Sequence, residues 1–206
     1  MGNNDFRPSV PSWPHDEVIH AWWVEPGRLL AGEYPGSKSE SKARDKVRIL
    51  MEAGIDSFVD LTETDELDPY STDLLQEESK TAGRPVPSHR RFGIRDVSVL
   101  DHDAGYDEIV EHIRNELDAG KRVYVHCWGG KGRTGTVIGC WLIDNDGLDY
   151  KSTVQRMRDL RQGTRKLDDN PRIPDTQEQH NVLRRRAAGT QTIHRVGDPE
   201  KGRSQR

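Results

Sequence analysis

Apolar residues along this chain recur at two different periods, and the switches between them mark out its elements. From position 39, Ala43, Val47, Leu50 and Met51 lie at helical spacing and the pattern stops at Gly54, which predicts a helix. Residues 55–61 then read as a buried strand whose end passes into the acidic, polar stretch 62–72. A weaker helix is predicted over 72–82. An extended segment follows through Arg91-Phe92-Gly93-Ile94, introduced by a proline-rich turn. Tyr106, Ile109, Ile113 and Leu117 share one helical face that Gly120 ends, and residues 122–126 form a short β-rich run. A mostly apolar helix over 134–144 and amphipathic helices over 150–162 and 175–187 complete the pattern. Nearer the start, Trp22, Trp23 and Val24 have strand propensity. Residues 29–31 predict a short edge strand that leads into a loop at Glu33-Tyr34-Pro35-Gly36.

Strands alternating with helices predict an α/β sandwich: a central mixed, largely parallel sheet with helices on both faces. A chain of 206 residues suits one such domain, and it contains no internal repeat. We expect residues 1–20 to be an irregular arm, 21–187 the domain, and 188–206 a basic, disordered tail. From Arg184 onward seven Lys or Arg face only Asp198 and Glu200, although the whole chain carries a formal charge of -4. That tail has no aromatic residue to interleave with its cations, which argues against nucleic-acid binding. The longest strongly apolar stretch, 137–143, is too short to cross a bilayer, so no integral membrane association is expected. Two cysteines, Cys127 and Cys140, make no disulfide framework, and the N-terminus has no segment of signal-peptide type. The expected setting is cytoplasmic.

The segment richest in chemistry is His126-Cys127-Trp128-Gly129-Gly130-Lys131-Gly132-Arg133-Thr134-Gly135, between a predicted strand and a predicted helix. Three glycines within four residues let successive backbone N–H groups turn inward, and the following helix adds the positive end of its dipole. The result is a cradle for a tetrahedral oxyanion. Cys127 sits at its mouth, where the converging N–H groups stabilise a thiolate nucleophile. Arg133, six positions on, presents a planar fork to phosphate oxygens. Trp128, Gly129, Gly130, Lys131, Gly132 and Arg133 are thus the candidate phosphate-binding residues, with Trp128 a candidate apolar wall. Cys140 lies beside Val137, Ile138, Trp141 and Leu142 and reads as core packing, with a reversible disulfide to Cys127 as the alternative.

This Cys-(five residues)-Arg loop, with His126 before it and Thr134-Gly135 after it, resembles the signature of the protein tyrosine phosphatase superfamily, and in particular its compact dual-specificity branch. The resemblance extends from about 27 to 186 and implies a metal-independent hydrolase, needing no cofactor, that works through a phosphocysteine. It implies that Asp96, at a strand end, is the general acid, with Asp101 and Asp103 as competitors. It makes Gln179 the candidate for placing the hydrolytic water, with Gln177 as the near alternative. It also implies that His126 supports the loop, that Thr134 donates to the sulfur or caps the helix, and that Lys131 adds positive potential from the loop rim. The substrate implied is a phosphorylated protein, on tyrosine and also serine or threonine, handled by a monomer. A phosphoinositide or inositol phosphate is the alternative, with Lys131 and the Arg90-Arg91 pair meeting its extra phosphates; an inactive phospho-binding module is more remote.

Overall fold

In the computed structural model, which describes residues 12–70, 73–169 and 171–196, five strands form one sheet. They are β1 (Ala21–Glu25), β2 (Leu29–Gly32), β3 (Ser57–Asp60), β4 (Ser88–Arg91) and β5 (Val123–His126), in the order β1-β2-β5-β3-β4. β1 pairs antiparallel with β2, and the other pairings are parallel. The segment predicted as an edge strand, 29–31, therefore lies inside the sheet: β1 folds back over it, and all four β2 residues are buried. The real edges are β1 and β4, and β4 alternates exposed and half-buried positions, as an edge tolerates.

Side chains alternate across the sheet with period two. Leu29, Ala31, Val59, Val123 and Val125 point to one face, while Leu30, Phe58 and Tyr124 point to the other. The first face is covered by α3 (Asp103–Asp118), α4 (Gly132–Asp146), α5 (Tyr150–Leu160) and α7 (Gln177–Val196), the second by α1 (Glu40–Glu52) and α2 (Asp73–Ala82). A five-residue helix, α6 (Arg165–Asp169), is too short to show a period and was not anticipated. Among the described residues no helix is long and apolar enough to cross a membrane.

Both ends of the chain differ from the expected boundaries. Trp13 and Ile19 are buried in the core on the α1–α2 side, and the Trp13 indole donates to the Ile19 carbonyl at 2.9 Å and meets Trp23 edge-on. Residues 12–20, which contain no helix or strand, pack on the domain, because the two tryptophans supply apolar area that proline content alone conceals. At the other end α7 continues to Val196, beyond 187, since no proline interrupts it and one glycine costs a docked helix only about 1 kcal/mol. Residues 1–11 and 197–206 lie outside the described part.

Candidate active site

The parallel strands end level with one another: Gly32 pairs with His126, and Asp60 with both His126 and Arg91. Ligands of open α/β sheets sit beyond such carboxyl ends, and here the chain leaves β5 at His126 into the loop 127–131. Gly130 has φ +74°, and a Cβ there would lie 2.4 Å from the Gly32 carbonyl carbon. The loop is thus pressed onto the end of β2, where the Tyr34 N–H donates to the Trp128 carbonyl at 3.0 Å. No side chain caps α4, so its first-turn N–H groups remain available to an anion.

Arg133 is buried and held in place more firmly than its own segment suggests. Both terminal nitrogens donate to Glu66, each at 2.7 Å, and Nη1 also donates to the Ile94 carbonyl at 2.9 Å. Nη2 pairs with Asp96 at 2.9 Å, while Nε has no partner among the described residues. Burial works against the guanidinium charge, but the Glu66 bonds and the nearby Cys127 and Asp96 outweigh it and raise its pKa. Glu66 is correspondingly lowered: burial opposes this, and the Arg133 bonds prevail. Nothing in the loop motif pointed to Glu66; the available signal was its place in an acidic loop after a buried strand.

Of the three candidate acids, Asp96 alone lines the cavity that holds Cys127. Asp103 is bound to Arg185 at 2.8 Å on the surface, and Asp101 is exposed outside the cavity. Gln179 lines the same cavity, buried. Its Oε1 accepts from the Asp175 and Thr176 N–H groups, each at 3.1 Å, and its Nε2 donates to the Ser98 carbonyl at 3.2 Å. Gln177 is exposed and bonded to Asn181. Thr134 does not cap α4, whose cap position is Lys131; the Thr134 hydroxyl is buried without a hydrogen-bond partner among the described residues. Lys131 does not stand out from the rim either. It is largely buried and paired with Asp175 at 2.8 Å, which neutralises the charge expected to face solvent.

The Arg90-Arg91 pair is also engaged elsewhere. Arg90 pairs with Glu108 at 2.7 Å and lies over Phe92, and Arg91 donates twice to Asp60 beneath the loop. Asp60 also accepts from Thr62 and His89. Burial penalises its charge, yet His126 and these donors hold it well below the usual carboxylate range. His126 is fully buried, hydrogen-bonded through Nε2 to the Tyr70 hydroxyl at 2.6 Å and stacked on Tyr124. Burial, against the pull of Asp60, lowers its pKa to about 4, so it supports the loop as a neutral ring.

Above the loop opens a cavity of about 870 Å³. Cys127, Gly129, Gly132 and Arg133 line it together with the side chains of Trp128 and Val97, 60% and 69% exposed. A thiol, a clamped guanidinium and a carboxyl group lining one cleft have the chemistry that group transfer from phosphorus needs.

A family model described as a Swiss Army Knife protein, DSP-PTPase phosphatase domain, matches residues 20–195. The phosphatidylglycerophosphate phosphatase PTPMT1 of Arabidopsis thaliana is 32% identical over 54 residues, 26% of this chain and 16% of that protein. The putative tyrosine phosphatase 067L of Invertebrate iridescent virus 3 is 31% identical over 130 residues, 62% of this chain and 47% of that one. The chain thus aligns with less than half the length of these curated relatives. The crystal structure of Tk-PTP in the active form superimposes with a TM-score of 0.63 at 26% identity, covering 82% of this chain and 96% of that chain.

Proposed function

The chain belongs to the DSP-PTPase phosphatase domains of the Swiss Army Knife type, and from that premise we propose that it is a cysteine-dependent phosphatase of phosphomonoesters. The observation that carries this is the convergence of Cys127, Arg133 and Asp96 in one cavity, with Glu66 fixing the guanidinium. Cys127 Sγ attacks phosphorus in line, the P–O bond to the leaving group breaks, and Asp96 gives that oxygen its proton. The loop N–H groups and Arg133 hold the three equatorial oxygens. Asp96 must leave Arg133 Nη2 as the phosphoryl group enters. Water then attacks the phosphocysteine, giving its proton to Asp96; Gln179, whose Nε2 has one hydrogen beyond the Ser98 bond, orients that water.

Phosphotyrosine on proteins is the leading substrate, because the exposed Trp128 and Val97 offer apolar walls to an aromatic leaving group. The similarity to a plant phosphatidylglycerophosphate phosphatase favours a lipid or inositol phosphate as the second reading. With Cys127 required as a free thiol, a reducing compartment such as the cytoplasm suits the enzyme.

The test is hydrolysis of p-nitrophenyl phosphate and of an alkyl phosphate in EDTA. Cys127→Ser removes turnover of both. Asp96→Asn slows the alkyl ester by roughly 100-fold and the nitrophenyl ester much less, since nitrophenolate departs without a proton. An active Cys127→Ser enzyme overturns the proposal; equal slowing of both esters removes Asp96 as the acid. Phosphotyrosyl peptide and lipid substrates, compared side by side, decide between the two readings.

A further inference from the structure

Elsewhere in the cavity lining, positive charge gathers around a single carboxylate, Glu33. Lys46 on α1 and Lys166 on α6 grip Glu33 from two directions, Nζ to Oε1 at 3.0 Å and Nζ to Oε2 at 2.5 Å, and Arg165 reaches Oε1 at 3.3 Å. Both lysines and Glu33 line the cavity that contains Cys127. The cluster touches the phosphate loop itself: Lys166 Nζ donates to the Gly129 carbonyl at 3.2 Å, and Gly130 lies against the Glu33 backbone. Lys46 Nζ spends a second hydrogen on the Tyr34 carbonyl at 3.2 Å. Each ammonium has three hydrogens, so each lysine retains one.

Beneath α6 lies Arg161, a buried guanidinium that supplies a second, independent observation. Its Nη2 donates to the Lys166 carbonyl at 3.4 Å, while Nε and Nη1 have no hydrogen-bond partner among the described residues. Among the described residues Asp16 is set against Arg165, and Asp175, which also attracts Arg161, is paired with Lys131. Of the described members of this cluster, two cations, Lys46 and Lys166, and one carboxylate, Glu33, line the cavity, while Arg161 and Arg165 lie behind that lining. Unmatched charge inside a protein wall, where screening is weak, projects into the adjoining cleft.

We infer that Lys46 and Lys166, flanking Glu33, form a second anion subsite beside the phosphate loop, which takes a second acidic group on the same substrate molecule. In the protein reading of the preceding subsection, on which this rests, that group is a phosphorylated or acidic side chain next to the phosphotyrosine. A cavity of 870 Å³ leaves ample room beyond one phosphoryl group.

The test compares kcat/KM for a phosphotyrosyl peptide with neutral neighbours, the same peptide with an adjacent phosphoserine, and inositol mono- and bisphosphates, with wild type and Lys46→Gln. The expected result is a preference for the doubly phosphorylated peptide that falls about tenfold relative to the singly phosphorylated one in Lys46→Gln, the effect of losing one charge-assisted contact. A preference confined to the inositol phosphates, and lost in Lys46→Gln, keeps the subsite and overturns the peptide source. No preference in any pair, or one that Lys46→Gln leaves intact, overturns the subsite. Failure of wild type to hydrolyse p-nitrophenyl phosphate is a different result: it sinks the phosphatase reading.

Discussion

A buried guanidinium is only as useful as its orientation, and for Arg133 that orientation comes from Glu66, a residue in the loop that follows the central strand β3. Its two 2.7 Å bonds engage both terminal nitrogens, and the buried Nε has no partner among the described residues. Glu66→Gln replaces one charged acceptor by a donor. We expect kcat/KM for p-nitrophenyl phosphate to fall 10- to 100-fold, with weaker product inhibition by inorganic phosphate and a nearly unchanged fold by circular dichroism. The two cysteines diverge for a related reason. Cys140 is fully buried in α4, and burial pushes its thiol up to about 12, so it stays protonated and inaccessible. Limited iodoacetamide at pH 8 should therefore label Cys127 and spare Cys140, as peptide mass mapping can check. The loop motif made Cys127 and Arg133 legible in the sequence. Glu66, Lys46 and Lys166 were not, because each acts across 13 to 133 positions of chain onto a partner that no local pattern identifies.

At the level of elements, the site is a product of how α4 and α7 meet. α4 carries Arg133 and Thr134 in its first turn, and α7 carries Gln179. They approach closely because Gly139 has no side chain: a Cβ there would lie 2.6 Å from a Leu183 methyl. Gly139→Ala should lower stability by about 1–3 kcal/mol through overpacking, seen as a lower urea midpoint with an unchanged slope. Because the shifted helix bears Gln179, dephosphorylation of the phosphocysteine should slow as well, giving a burst of nitrophenol before steady state. Long helices were readable because three or four turns expose a clear period, as in α1 and α3. α6 was not, since five residues carry no period, and β2 was misplaced because edge or interior position depends on whether another strand folds back beside it.

For the molecule as a whole, two histidines sealed in the fold couple it to pH. Burial lowers His126 and His20 to about 4, against the opposing pull of Asp60 on the first and Asp16 on the second. Around His126 stand His89, Arg91, Tyr70 and Tyr124, and beside His20 stand Lys166 and Arg161. Because the unfolded histidines bind protons near pH 6.5 and the folded ones do not, the stabilisation is complete above about 6.5. It is lost as pH falls toward 4. The urea midpoint should decline across that window, and a His20→Gln variant should show a shallower decline. What the sequence alone determined was local: a strand–loop–helix segment that carries a thiol and a guanidinium, the alternation of strands and helices, and hence a layered sheet covered on both faces. These follow from backbone geometry and hydrophobic period, which act over a few residues. The tertiary structure alone decided which distant carboxylates meet the clamp, which candidate acid overlooks the thiol, where the chain ends pack, and how surplus charge is distributed around the cleft. Those depend on the order of strands in the sheet and on burial, which bring positions far apart in sequence within hydrogen-bonding distance.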